Sequence, residues 1–576
     1  MKRILLYMFL AAATLLNGCN GFLDEDNRSN IPASTFYTTS NGYKALLNAT
    51  YSSLRDIYGS VPTIMLAGTD LYHVGWARGH TESPLGMYMT LNPTDRTVET
   101  FYSNCFAGIG LANTCLYYGE TTEKTSILEQ QKAEARFIRA YYYFLLVQHF
   151  GGVAVVTEMT NRPLLEFPRN TEAEVYDFII TELTDLRSAL LARATGADYG
   201  HVDQRTVDFY LSKAYLTRGW TTGGSQDDFT KAKEYGIAAI AGESLMPNFG
   251  DTYSAVNYGW RNKEVFWSII YSPESLERAT TGNSQQSHFG GYLDGSPAGN
   301  KSTDGMFPLT LYGHYVFAKD IADPNNDTRY YSTYMENLYE HSMVYYDKTE
   351  AELASVPITY FYPPWWTVAY SDIPAWVAEN PTQRSKTVIR QIDNPGNPDT
   401  DLATFQAASV KFADNSSVNY GYPTFRKFDC QGVTVFSNTS SFRDIDMARL
   451  NDAYLTVAEA CIKLNDQATA ATYINTVRER GIKADDAQRT ITADQATIDF
   501  LLDERARELM GHYDRWQDLK RTGTLKARSL KYNLELQNDP NRFVGQDGNE
   551  KILRPIPQSA IDRNKANIEQ NPGYPQ

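Results

Sequence analysis

A chain of 576 residues, 42% of them hydrophobic, carries enough apolar side chain for a large core and far too much for a disordered protein. Lysine and arginine total 53 against 68 acids, a formal charge of −15 at pH 7. A surface that acidic repels phosphate backbones and argues against nucleic acid as the main partner.

The first element is a targeting segment. Lys2 and Arg3 precede an apolar run from Ile4 to Leu16, shorter than the ~20 residues that span a bilayer. A basic start, a short apolar core and a small residue at the break describe an export signal over residues 1–18. Leu16-Asn17-Gly18-Cys19 resembles the lipobox of bacterial lipoproteins, although Asn17 stands where a small residue is usual. This reading makes Cys19 the lipidated first residue of the mature chain; the alternative is a plain secretory signal with a Cys there by chance. Residues 19–39 then form an acidic tether. Cys105, Cys115, Cys430 and Cys461 are too few for a disulfide scaffold. Cys105 and Cys115 lie on one predicted helix, ~15 Å apart and beyond disulfide reach, and read as small buried hydrophobes.

Helices follow at both ends of the remaining chain. Tyr43, Leu47, Tyr51, Leu54 and Tyr58 share one helical face from Ser40 on. Val98 to Leu116 repeats the pattern, weakened by Gly108 and Gly110. The run from Ala133 to Val147 is closed by Gly151-Gly152, and Thr171 with Glu174 forms a capping box that opens the next helix. Two helix pairs have small residues at their contacts: Val207–Leu216 with Phe229–Ala239, and Ala453–Leu464 with Ala471–Val477, the last stopped at Gly481. Close antiparallel approach through alanine marks tetratricopeptide-like pairs. The expected fold is therefore mainly α: a single domain over residues 40–576, helical over 40–243 and 441–530. Between 244 and 440 no period is sustained. That stretch, dense in Gly, Pro, Asn and aromatics, reads as a loop-rich insert with short strands such as Glu264–Ile270, and long irregular segments of this kind usually serve binding.

Four separate motifs, at Cys19 to Asp24, Ala133 to Val153, Glu504 to Arg521 and Leu553 to Tyr574, together resemble the SusD/RagB family of outer-membrane lipoproteins. Cys19 followed by Gly21-Phe22-Leu23-Asp24 is similar to the family's start. Ala133–Phe144 followed by Phe150-Gly151-Gly152-Val153 is similar to its most recognisable helix. Glu504–Leu509 with Arg515–Arg521 resembles its C-terminal signature, and Leu553–Pro557 with Asn571–Tyr574 its ending. The resemblance implies an α-helical fold in which four tetratricopeptide-like pairs support a loop-rich face. It also implies a surface-exposed lipoprotein that sits over a SusC-type TonB-dependent barrel transporter and captures oligosaccharides, or peptides in some branches, without catalysis or cofactor.

The residues themselves carry little catalytic chemistry. No His-x-x-x-His pair, phosphate-binding Gly-Lys-Ser/Thr loop or Gly-x-Ser-x-Gly elbow is present. Asp323-x-Asn325-x-Asp327 begins like a calcium loop, but Thr328 replaces the Gly and Tyr334 the closing Glu, so it reads as a solvated turn. A surface endo-glycosidase built on a carboxylate pair stays open as an alternative. Sugar binding needs exposed flat rings for the C–H face and short polar side chains for the hydroxyl edge. Two places supply both: the loop with Asp70, Trp76 and Arg78, and the insert with Tyr312, Tyr315, Trp365, Trp366 and Trp376. These are the candidate ligand contacts, and they lie where the resembling family draws its own. Trp516, Tyr141–Tyr143 and the charged set Arg136, Arg139, Glu504, Arg505 and Glu508 read instead as core and interhelical ion pairs.

Overall fold

A computed structural model describes residues 32–59, 62–72, 84–160, 162, 164–254, 259–272, 282–290, 305–340, 348–408, 410–412, 423–429, 441–537 and 539–575. Cys19, Trp76, Arg78 and Cys430 lie outside these.

The molecule is mainly α-helical. The longer helices are α1 (Ser40–Ser52), α2 (Arg96–Gly119), α3 (Leu128–Phe150), α4 (Glu172–Leu186), α5 (Gln204–Trp220), α6 (Gln226–Ile240), α7 (Leu450–Lys463), α8 (Gln467–Arg478), α9 (Ile498–Glu508), α10 (Arg515–Arg521) and α11 (Leu525–Tyr532). Their ends follow local chemistry. Thr171 and Glu174 form the reciprocal capping box at the start of α4, and α3 ends where Gly151 turns to φ +70°, a conformation an L side chain avoids. The helix expected to run from Ser40 to Tyr58 breaks at Ser53, and a short helix, Leu54–Tyr58, follows. Ser53 Oγ donates to the Thr50 carbonyl at 2.7 Å and meets Tyr142 Oη at 2.7 Å, a local bond that competes with the helical ladder.

The helices pack as successive pairs, α2 on α3, α3 on α4, α5 on α6 and α7 on α8. The two pairs that stand far apart in sequence meet in space, because α6 packs on α7. Gly236 permits this: a Cβ there would lie 2.5 Å from Val457 of α7 and 2.9 Å from Ser212 of α5. The chain holds 40 tyrosines against 26 phenylalanines, and much of that tyrosine excess packs in these layers. Tyr141, Tyr142 and Tyr143 are all buried, and Tyr143 Oη accepts from the Val156 amide at 2.6 Å.

The insert leaves and rejoins the helices through one ribbon. Strand β1 (Val265–Ile269) pairs antiparallel with β6 (Ile445–Arg449), which runs straight into α7. Between them lies a four-stranded sheet in the order β2 (Asn337–Tyr339), β3 (Ile358–Phe361), β4 (Val388–Ile392), β5 (Val410–Phe412), with only the β3–β4 pair parallel.

A belt of buried ion pairs on α9 fastens insert to helices. Glu504 accepts from Arg329 at 2.6 Å and Arg478 at 2.8 Å; Arg505 bonds Asp452 at 2.8 Å and Asp518 at 2.7 Å; Glu508 meets Arg329 at 3.2 Å. Arg136 and Arg139 similarly share Glu182 of α4 at 2.8 and 2.6 Å. Charges this deep are tolerated because each is paired and hydrogen-bonded. Trp516 is fully buried, stacked on His149 at 5.0 Å with Arg554 over its ring. Cys105 and Cys115 are buried free thiols on α2.

Candidate glycan-binding surface

The structure takes three of the predicted contacts, Asp70, Tyr312 and Tyr315, off the surface and partly covers a fourth, Trp376. Asp70 is fully buried. Arg515 clamps it bidentately at 2.8 and 2.6 Å, and Arg528 Nε adds a third bond at 2.9 Å. Burial alone would raise its carboxyl, but the two guanidiniums outweigh burial and hold it below the usual range. Tyr312 is also fully buried; it donates to Asp503, accepts from Arg528 Nη2 at 2.6 Å and stacks on Tyr532 at 4.1 Å. Tyr315 is buried with its ring against Phe405, centroids 5.5 Å apart at 76°. Trp376 is half-buried, with Phe361 parallel to it at 4.0 Å and the Arg384 guanidinium 4.3 Å over the same ring. Phe361 and Arg384 together occupy much of the ring surface that a sugar would need. Asp323 and Asp327 are spent as well: Asp323 accepts from the Asn325 amide at 3.0 Å, and Asp327 binds Arg329 at 2.9 and 2.8 Å.

Trp365 and Trp366 keep a place at the surface. They follow β3 after Tyr362-Pro363-Pro364, all buried, which hold the next two residues at the edge of the core. Both indoles are half-buried and meet edge to face, centroids 4.6 Å apart at 82°. Trp366 also sits edge-on to buried Tyr330 at 5.0 Å, which props the pair from below. Among the described residues, Trp366 is the one aromatic ring against Trp365.

Two neighbours were not singled out as contacts from sequence. Tyr331 is half-buried, its ring 5.4 Å from Tyr330, and its hydroxyl donates to Asn325 Oδ1 at 3.1 Å. Glu336 precedes β2, its carbonyl accepting from the Tyr362 amide at 2.8 Å, and its carboxyl lies within electrostatic reach of Tyr330 and Tyr331. Burial pushes that carboxyl up to about 7, so near neutrality it both donates and accepts hydrogen bonds. The available signal was an acid close behind the aromatic run Tyr330-Tyr331-Tyr334. The resulting half-buried cluster joins two indoles to a carboxyl, a phenol and an amide, the functional groups that match a sugar's C–H face and hydroxyl edge.

Comparison with known proteins places the fold. The model of the SusD family matches residues 263–574, and one described as "Starch-binding associating with outer membrane" matches residues 21–216. A SusD-like protein from Bacteroides ovatus is 27% identical over 46% of this chain and 50% of its own length; the chain thus spans half of that relative. The starch-binding protein SusD of Bacteroides thetaiotaomicron is 24% identical over 77% of this chain and 73% of its own. Among solved structures, surface glycan-binding protein A from Bacteroides thetaiotaomicron, in complex with laminarihexaose, superposes with a TM-score of 0.66 at 17% identity, covering 93% of this chain and all of that one. A family model that covers more than half of the chain, together with the shared helix-pair fold, shows that the chain belongs to the SusD family.

Proposed function

We propose that this protein is an outer-membrane lipoprotein that captures oligosaccharides at the cell surface and passes them to a SusC-type TonB-dependent transporter, without catalysis. The observation that carries the binding reading is the half-buried Trp365–Trp366 pair, with Tyr331 and Glu336 beside it. In this reading residues 1–18 are the export signal, Cys19 carries the lipid and residues 19–39 are a tether. The single folded unit over 40–576 presents the insert to the ligand. Trp76 and Arg78, which lie outside the described residues, add further contacts in this reading. Relatives whose names record starch binding and a laminarihexaose complex support a glycan ligand.

Affinity electrophoresis of the whole protein against starch, laminarin and other polysaccharides, with an oligopeptide mixture titrated in parallel, tests this. Retardation by at least one polysaccharide, with no new reducing ends released from it, is the expected result. Binding of peptides alone would contradict the glycan reading, and release of chain ends would contradict the non-enzymatic one.

A further inference from the structure

Away from the insert's aromatic surface, a cavity of about 370 Å³ opens where α1, the short helix Leu54–Tyr58, the 199–201 segment and the end of β1 meet. Its polar wall consists of Asn48, Ser52, Arg55, Tyr199 and His201. Beneath it lies the carboxylate of Glu134 in α3, its side chain 1% exposed. Glu134 accepts from His201 Nδ1 at 2.6 Å, Tyr51 Oη at 2.7 Å and Gln130 Nε2 at 3.0 Å. This arrangement does two things. It fixes which imidazole nitrogen faces inward, leaving Nε2 without a bond among the described residues on a side chain that is 34% exposed. It also favours the charged imidazole, since the bond from Glu134 raises the His201 pKa despite partial burial; Asp198 acts in the same sense and Lys44 against it.

Arg55 supplies a second cation. Its Nη2 donates to the Ile270 carbonyl at 2.6 Å, and its guanidinium lies over Tyr271 at 4.9 Å. Among the described residues no carboxylate pairs with it. The opposite wall is already satisfied: Tyr199 Oη donates to Asp444 at 3.0 Å and lies 3.2 Å from Ser268 Oγ. Gly200 takes φ +92°, and a Cβ there would lie 2.6 Å from Ile270, so the loop carrying His201 is pressed onto the end of β1. The cavity thus presents two donors of positive charge and an amide and a hydroxyl, in a space of small-ligand size.

We propose that this cavity binds a monosaccharide-sized carboxylate, with uronic acids as its sugar form. The carboxylate is held between Arg55 and His201, and Asn48 and Ser52 meet the hydroxyls. The site does not rest on the reading of Trp365 and Trp366. Saturation-transfer NMR and titration of the whole protein with D-glucuronate, against D-glucose as the neutral isostere, tests it. Glucuronate is expected to receive saturation and glucose not. Arg55→Gln is expected to weaken glucuronate by about tenfold, the loss of one charge-assisted contact. His201→Gln is expected to do the same, but it also removes a partner of buried Glu134, so Arg55→Gln, checked by thermal melting for an intact fold, is the deciding variant. Absence of saturation transfer to glucuronate, an equal response to glucose, or unchanged affinity in folded Arg55→Gln would overturn the proposal. A protein that binds glucuronate but no polysaccharide would support this site while contradicting the glycan-capture reading.

Discussion

Asp70 and Glu336 show how the same functional group takes opposite roles according to what surrounds it. Asp70 is fully buried between two guanidiniums; Glu336 sits among rings with its carboxyl pushed up to about 7. Asp70→Asn is expected to lower stability by about 3–5 kcal/mol, because it leaves Arg515 and Arg528 buried beside a neutral amide; a thermal melt measures this, and unchanged stability would refute the structural role. The same contrast explains why the burial of polar and aromatic side chains was only partly legible in the sequence. Asp70 and Tyr312 have the right functional groups in Gly-flanked or aromatic-rich segments, but their partners, Arg515, Arg528, Asp503 and Tyr532, lie some 200 to 460 residues away along the chain. No local pattern reports such a partner. The partial cover of Trp376 was hidden for a nearer reason: Phe361 and Arg384 come from two flanking elements that pattern reading treats as loop. Trp516, by contrast, was legible as core because it lies inside a helical signature.

At the scale of elements, helix pairing was legible because it is written in local periodicity, capping and small residues. Less visible was that α6 would meet α7 across an insert of about two hundred residues, since that depends on the β1–β6 ribbon closing the insert. Two glycines on one helix test the packing. In α2, a Cβ at Gly108 would lie 2.2 Å from the Tyr142 ring, whereas nothing lies within 4 Å of one at Gly110. Gly108→Ala is therefore expected to destabilise by about 1–3 kcal/mol through overpacking, and Gly110→Ala to stabilise by up to about 1 kcal/mol through helix propensity; denaturant unfolding of the two variants measures the difference, and the same sign for both would contradict the α2–α3 contact. The belt on α9 predicts a pH dependence. Burial raises the carboxyls of Asp503 and Glu504, but the facing arginines and lysine outweigh it and hold both below their ordinary values of 3.8 and 4.5. Groups depressed in the folded state contribute stability above those ordinary values and lose it as pH falls toward the folded ones. Glu336 runs the other way and costs stability as pH rises from 4.5 through about 7. Melting temperature is thus expected to fall steeply below about pH 4, and retention of the neutral-pH value at pH 3 would contradict the belt's role.

For the whole molecule, an acidic surface, a helical frame and an aromatic insert make a coherent device: the frame fixes the insert, and the insert offers rings to solvent. The tyrosine excess divides accordingly, with Tyr141–Tyr143 packed inside the frame and Tyr331 half-buried on the insert. Cys19→Ala is expected to move the protein from the membrane to the soluble fraction, and its retention on the membrane would refute the anchor. The central claim is that half-exposed rings on the insert bind glycan. Titration calorimetry of wild type and Trp365→Ala, with the polysaccharide retained in affinity electrophoresis, addresses it most directly. The account predicts affinity at least about tenfold weaker in the variant, the loss expected when one stacking ring is removed, with an essentially unchanged melting temperature. Unchanged affinity, or a melting temperature that collapses because Trp365 is core, would contradict it.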